Sequence, residues 1–300
     1  MHKDNSADEL FDLKTSFYLG NYQQAVTEAQ KLRVSEPVTQ AEKDVYMYRA
    51  FIAQKKYGVV LDDIKPNASD ELKFVRLMAE YLSNESRRDA IIDELDSKLA
   101  SLNITNPLVL LVIANIYVLH DNLETALKLL HNCDSCQLLE CGALAIQIYL
   151  KMDRHDLARK ELKKLIDMDE DAIITQLAGA WVYMATGDKI QDAYFTFQEQ
   201  ADKNSATSLL LNNQALCQIN QEKFDEAQSL LQEALDKDSN NADAMVNSIV
   251  LNQHLGKPVE VTNRFISQLK DSSKNHPFVK DLLLKESEFN RIAQHYHPSK

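Results

Sequence analysis

Hydrophobic and polar positions alternate along this chain with a helical period, and short polar breaks interrupt the pattern. The segment INQEKFDEAQSLLQEALDKDSNN (residues 219–241) shows one unit of it: an acidic turn, an amphipathic helix carrying Ala227 and Ala234, and a polar break. Apolar residues spaced three and four apart line one face of a helix. A single short helix cannot bury that face by itself, so the segment predicts similar helices on either side.

The same turn recurs along the chain, each time followed after a few residues by a small residue that lets two helices approach closely. These small residues are 30 to 36 positions apart: Ala25, Val60, Ala90, Ala126, Ala158, Ala193, Ala227 and Val261. A tyrosine stands nine or ten residues before three of them, at Tyr117, Tyr149 and Tyr183. A period near 34 residues with a helix–turn–helix pattern is typical of tetratricopeptide repeats.

The repeat predicts an all-α fold without strands. We expect a right-handed, tetratricopeptide-like solenoid of helical hairpins, with about eight repeats over residues 1–276. The segment 277–300 contains one amphipathic helix without a partner hairpin, which predicts a C-terminal capping helix and tail. The alternative, a set of unrelated amphipathic helices, is disfavoured by the near-constant period.

Composition agrees with helix nearly throughout. The 300 residues include six glycines and six prolines, where average usage predicts about twenty and fifteen. The most apolar run, PLVLLVIANIYVL (residues 107–119), contains Asn115 and is too short to span a bilayer, so it predicts a buried helix.

Charge and cysteine usage restrict the classes of partner and compartment. The formal net charge of −12 disfavours nucleic acid and direct docking on anionic lipid, because both need clustered Lys and Arg. Four cysteines make no disulfide framework, and the start of the chain lacks the pattern of a secretory signal. We expect a cytoplasmic protein.

The strongest candidate for chemistry is HNCDSCQLLEC, which contains His131, Cys133, Cys136 and Cys141. The spacing resembles that of zinc ligands, but the repeat frame places Cys133 and Cys141 on helices, where a free cysteine packs as a small apolar residue. We predict no metal site here, and a metalloprotein or enzyme centred on this cluster is the alternative. Nucleophile, phosphate-loop and dinucleotide motifs are absent from the sequence, so we expect no catalytic residues, no cofactor and no enzyme activity.

The remaining candidate is a surface. In hairpin solenoids the first helix of each repeat lines the concave face, which binds peptides. Its predicted partner-binding residues are Phe17, Val45, Arg49, Ile52, Val75, Leu82, Leu111, Asn115 and Val118. Two explanations for this apolar face remain open. A partner segment is threaded through the concave face, or a tightly wound array buries part of the face in itself. A third possibility, an adaptor or co-chaperone-type scaffold that captures carboxylates, needs several Lys, Arg and Asn side chains in one groove, and the stripe offers few beyond Lys14 and Arg49.

Several stretches closely resemble the epsilon subunit family of coatomer, and the similarity runs nearly end to end. They are DELFDLKTSFYLGNYQQAVTEAQ (8–30), YRAFIAQKKYGVVLDDIKP (48–66), ESRRDAIIDELD (85–96), DLARKELKKLIDMDEDA (156–172), KIQDAYFTFQEQADK (189–203) and QHLGKPVEVTNRFISQLKD (253–271). The HNCDSCQLL stretch is the least similar to the family.

The resemblance implies a non-enzymatic subunit of a vesicle coat that acts in Golgi-to-endoplasmic-reticulum and intra-Golgi transport. It implies a complex with the C-terminal region of coatomer's alpha subunit, around which the N-terminal repeats curl as a bracelet, and contact with other coat subunits. It further implies a peripheral location on Golgi and coated-vesicle membranes, reached indirectly through the coat.

Overall fold

In the computed structural model, which describes residues 8–65, 67–101, 106–131 and 138–296, the regular elements are all helical and no strand is found. The predicted all-α fold of helical hairpins is therefore confirmed. The chain divides into two compact units, residues 1–189 and 190–300, which we call the N-terminal and the C-terminal unit. The predicted division into a repeat solenoid (1–276) and a cap (277–300) stays a prediction.

Over its described residues, the N-terminal unit contains five helical hairpins and one further helix. Its elements are α1 (Phe11–Tyr18), α2 (Tyr22–Lys31), α3 (Pro37–Ala53), α4 (Tyr57–Asp63), α5 (Asp70–Ser83), a short 3-10 helix (Glu85–Arg87), α6 (Arg88–Ser101), α7 (Pro107–Leu119), α8 (Leu123–His131), α9 (Leu139–Lys151), α10 (His155–Met168) and α11 (Ile173–Thr186). We call α1, α3, α5, α7, α9 and α11 the first helices of this unit.

The C-terminal unit continues the same pattern. Its elements are α12 (Ile190–Lys203), α13 (Ser208–Asn220), α14 (Phe224–Lys237), α15 (Ala242–His254), α16 (Val259–Ser272) and α17 (Pro277–Ala293). The start of α17 packs through Val279 and Phe278 on the core that includes Met245, Ile249 and Leu269. Its residues from 283 onward are exposed, so α17 covers the end of the unit through its first turns.

In six of the described hairpins, the turn places one residue in the left-handed conformation. It is found, with φ between 57° and 81°, at Gly20, Lys55, Asp121, Asp153, Glu222 and Gly256. The next amide donates to a carbonyl five residues earlier, as from Lys56 to Phe51 at 3.0 Å, which satisfies the end of the first helix. Four of these six residues are not glycine, so a low glycine count is compatible with many tight turns.

The repeat spacing locates the helix contacts with two corrections. Ala25, Val60, Ala126, Ala158, Ala193 and Ala227 are fully buried, as predicted. Ala90 and Val261 are exposed, and the buried residues are their successors, Ile91 and Thr262. The reason is where the helix begins, because the buried position is the fourth residue of the second helix in every repeat. Helix α6 begins only after the 3-10 helix, and α16 begins only after Pro258.

The apolar run 107–119 forms α7, a helix buried on most of its circumference, as predicted. Pro107 is its first residue, and the Asn106 side chain accepts a hydrogen bond from the Leu108 amide at 3.0 Å. Such caps satisfy amides that lack a partner within the helix. Among the described residues, no helix is long and apolar enough to cross a membrane.

Candidate functional site

The first helices of the N-terminal unit form a closed cycle of contacts. Each contacts the next along the series α1, α3, α5, α7, α9 and α11, and α1 also contacts α11. Their inward faces therefore share one interior. This arrangement is tighter than the hairpin pattern alone requires, because stacked repeats need contact only their neighbours.

The predicted concave-face residues fall into two groups. Val45, Ile52, Val75 and Leu111 are at most 5% exposed and belong to the central core of this unit. Phe17, Arg49, Leu82, Asn115 and Val118 are partly exposed. Burial of the first group agrees with the view that the array packs part of this face against itself. Apart from Arg49, whose side chain is only 10% exposed, the second group is the part that a partner can reach. The role of all these residues in binding stays a prediction.

The centre of the site is a buried carboxylate, Glu140, in the first turn of α9. The guanidinium of Arg49 on α3 forms a forked pair with it, donating from Nη1 to Oε2 at 3.2 Å and from Nη2 to Oε1. The Tyr46 hydroxyl donates to Oε2 at 2.9 Å, and the Tyr18 hydroxyl lies 2.7 Å from that of Tyr46 and 3.3 Å from Oε2. We call these four residues the Glu140 cluster.

Aromatic rings hold the Arg49 side chain in place. Its guanidinium carbon lies 4.8 Å from the centroid of the Phe17 ring and 5.3 Å from that of Tyr46. The two rings themselves meet edge to face, with centroids 5.5 Å apart. Cation–π contacts of this kind are stronger where water is excluded. Residues of α1 and α3 thus position the hydrogen-bond donors of the Glu140 cluster. The acceptor, Glu140, lies on α9.

Burial and charge shift the ionisation of this cluster. Burial raises the pKa of Tyr18 and of Tyr46 well above the ordinary tyrosine value, and the Glu140 charge raises both further. For Arg49 burial alone lowers the pKa, but the attraction of Glu140 outweighs it and the pKa is raised. Arg49 therefore stays protonated and both hydroxyls stay neutral at physiological pH.

These pKa shifts predict an alkaline loss of stability. A tyrosine whose pKa is higher in the folded chain stabilises it fully below the unfolded pKa near 10, and this contribution is lost as the pH rises above that value. Each such residue should lower the free energy of unfolding by about 1.4 kcal/mol per pH unit there. Urea unfolding followed by circular dichroism between pH 8 and pH 11 measures the slope.

The matched variants are Tyr18→Phe, which removes one buried hydroxyl, and Tyr296→Phe, which removes an exposed one. The first should flatten the alkaline slope and the second should leave it unchanged. Burial also raises the pKa of tyrosines outside the cluster, such as Tyr117, so Tyr18→Phe should remove only part of the slope. Equal slopes for all three proteins would contradict a contribution of the Glu140 cluster to the alkaline sensitivity.

The second inward cation, Lys14 on α1, is also paired within the chain. Its Nζ lies 2.9 Å from Asp8 and 2.9 Å from Glu42. Both cations that the sequence placed on this face are therefore neutralised by carboxylates of the same unit. This disfavours a groove that captures free carboxylates, the adaptor alternative.

Sequence reasoning placed Arg49 on the inward face and missed its partners Glu140, Tyr18 and Tyr46. Tyr46 precedes Arg49 by three residues, a spacing that puts both on one side of a helix. Glu140 carried no such signal, because it lies 91 residues from Arg49 along the chain.

The cysteine cluster can be followed only in part, since Cys133 and Cys136 lie outside the described residues. His131 bonds through Nδ1 to the Leu127 carbonyl at 2.7 Å and through Nε2 to the Tyr149 hydroxyl at 3.1 Å. Cys141 is buried, and its Sγ lies 3.9 Å from the Pro107 carbonyl. Over the described ranges no group of three or more His, Cys, Asp or Glu side chains is arranged to hold a metal ion. The prediction that the cluster binds no metal remains a prediction.

Comparison with known proteins extends these findings. The sequence model described as coatomer epsilon subunit matches residues 6–297. Coatomer subunit epsilon-1 of Oryza sativa subsp. japonica is 38% identical over 291 residues, covering 96% of this chain and 98% of the relative. Coatomer subunit epsilon of Caenorhabditis elegans is 37% identical over 290 residues, covering 96% and 98%.

Solved structures resemble the fold at low sequence identity. A tetratricopeptide repeat protein from Parabacteroides merdae has a TM-score of 0.54 at 12% identity, with 92% of this chain and 96% of that chain covered. The APC/C hetero-tetramer Cut9-Hcn1 has a TM-score of 0.62 at 12% identity, with 92% and 54% covered. At this identity the likeness establishes the tetratricopeptide-like fold alone.

Proposed function

The chain belongs to the coatomer epsilon subunit family, and from this premise we propose that it is a non-enzymatic subunit of the coatomer vesicle coat that binds the C-terminal region of the alpha subunit. The binding element is the N-terminal unit. The observation that carries this proposal is the closed cycle of first helices around a shared interior. A partner segment that enters this interior is enclosed on all sides, which suits a permanent subunit contact.

The partly exposed inward residues form the contact surface in this proposal. Phe17, Leu82 and Val118 provide apolar and aromatic area, while Asn115 adds an amide. Interface cores are rich in such side chains and poor in unpaired charge. The proposed role is in Golgi-to-endoplasmic-reticulum and intra-Golgi transport, with the protein in the cytoplasm and peripheral on Golgi and vesicle membranes. A net charge of −12 favours an indirect attachment through the coat.

Two neighbouring residues at the end of α7 provide the test. Val118 lies on the same side of α7 as the buried Leu111, because seven residues make two helical turns, and it packs on the core of the unit. Leu119, next to it, is 47% exposed. Val118→Asp should weaken binding to the alpha subunit's C-terminal region at least about thirtyfold, which corresponds to the loss of about 2 kcal/mol expected for an interface anchor. Leu119→Asp is the matched control and should bind like the unmodified protein.

Isothermal titration calorimetry on purified proteins gives both affinities, and thermal unfolding confirms that each variant is folded. In parallel, mass spectrometry of stoichiometric partners captured from cytosol should find the alpha subunit. Full affinity in a folded Val118→Asp variant would locate the contact elsewhere, and absence of the alpha subunit among the partners would refute the proposed complex.

A further inference from the structure

The Glu140 cluster connects parts of the chain that the repeat pattern leaves apart. Arg49 and Glu140 are 91 residues apart, and Tyr18 and Glu140 are 122 apart. By comparison, the side-chain hydrogen bonds from Asn106 to Glu71 and from Asn247 to Asn212 each span 35 residues and join adjacent repeats. The cluster therefore fastens the fifth repeat to the first two across the interior.

From this geometry we infer that the Arg49–Glu140 pair is a latch: it holds the N-terminal unit closed in the free protein and opens to admit the partner segment. The second half of this inference, the admission of a partner, rests on the proposed function. The first half concerns the isolated chain alone.

The burial of the pair makes it suited to opening. The two side chains are 10% and 9% exposed. Removing both charges from water costs about as much as their attraction returns, so a buried ion pair adds little net stability. When the cycle opens, water solvates both groups and recovers most of that cost. Removing one partner alone has a different effect, because it leaves the other charge buried and unpaired, so loss of the Glu140 charge should favour the open form.

The rest of the unit does not depend on the latch. Each hairpin packs on the next along the chain, and those interfaces supply the stability of a repeat array. Opening breaks the contact of α11 with α1 and the side-chain bonds of Glu140 on α9 to α1 and α3, and leaves the stack of neighbours intact. The open arrangement thus keeps the packing between successive hairpins and gives up part of the packing across the interior.

A partner segment cannot enter while the latch is closed. The inward residues Val45, Ile52 and Leu111 are at most 5% exposed, so the interior around them is already packed. The Glu140 cluster lies between α3 and α9, the two helices that an incoming segment has to separate. If only the open fraction can bind, the apparent affinity falls by that fraction, and weakening the latch restores it.

Glu140→Gln is the diagnostic variant, because it keeps the shape of the side chain and removes its charge. Glu161→Gln is the matched control. Glu161 is also buried in the same unit, but its partner is Lys164 on its own helix, at 2.7 Å. Arg49→Lys, which keeps the charge and loses the forked pair, is a second test should Glu140→Gln fail to fold.

Two measurements on the full chain separate the halves of the inference. The first measurement places spin labels at the exposed positions Gln23 and Lys160, after the native cysteines are replaced. The distance between the two labels, measured by electron paramagnetic resonance, reports closure without any partner. Stopped-flow mixing with the alpha subunit's C-terminal region reports the association rate.

For Glu140→Gln we expect a second population at longer distance and an association rate at least about tenfold higher, or ~1.4 kcal/mol. Glu161→Gln should change neither reading. An unchanged distance distribution in Glu140→Gln, or in Arg49→Lys if the first variant does not fold, would overturn the latch. A longer distance with an unchanged association rate would overturn its role in admitting the partner. If the unmodified chain does not bind the alpha region, the proposed function fails, and the distance measurement alone decides the latch.

Discussion

Replacing Leu111 with aspartate is expected to unfold the N-terminal unit, whether or not the residue also touches a partner. Leu111 is fully buried in the central core. Truncating a buried leucine costs about 2–5 kcal/mol, and a carboxylate placed there without a partner adds several more. A loss of about 5 kcal/mol or more equals the whole stability of many domains. Far-ultraviolet circular dichroism and urea unfolding of the purified chain measure the loss.

The control for Leu111→Asp is Val118→Asp on the same helix, since Val118 is partly exposed and its aspartate can reach water. This variant should remain folded, with a smaller loss than Leu111→Asp, because Val118 is only partly buried against the core. Loss of partner binding in Leu111→Asp would therefore say nothing about the binding surface. A folded Leu111→Asp protein with an unchanged melting temperature would show that the interior is open to solvent.

Replacing Ala158 with leucine is expected to lower the free energy of unfolding by about 1–3 kcal/mol. Ala158 is fully buried, at the fourth position of α10. The small side chain allows α10 to lie close to its neighbours, and three added carbon atoms have no space to occupy. Urea unfolding of the full chain, fitted for its midpoint and slope, gives the difference.

Ala90→Leu is the matched control for Ala158→Leu, because the sequence repeat treats the two alanines as equivalent and the structure does not. Ala90 is the third residue of α6 and is exposed. Its replacement should change the free energy of unfolding by no more than about 0.5 kcal/mol. Equal losses in both variants would contradict the one-residue correction to the repeat register.

That correction shows how far a periodic pattern can locate contacts. Six of eight small residues were placed correctly, because a constant helix start keeps the fourth residue in one place. Ala90 and Val261 were misplaced where the helix begins one residue later. The first residue of a helix depends on the geometry of the turn before it. An average period of about 34 residues does not give this residue for each repeat.

The sequence by itself determined the all-helical fold, the helix–turn–helix pattern and, in six of eight repeats, the small residue that is buried. These features depend on the spacing of apolar residues within one repeat, so they can be predicted from residues that are close together in the sequence. It likewise placed Arg49 and Leu111 on one inward stripe. The nearly end-to-end similarity to the coatomer epsilon subunit family came from the sequence as well.

Only the tertiary structure decided which part of that stripe is core and which part is accessible. Closure of the first helices buries Val45, Ile52, Val75 and Leu111, and it brings Glu140 to Arg49. Closure depends on small rotations between successive repeats, which add up over five hairpins. The sequence of one repeat does not reveal the total rotation over all five. The ion pair between Arg49 and Glu140, 91 residues apart, could therefore not be derived from any local pattern.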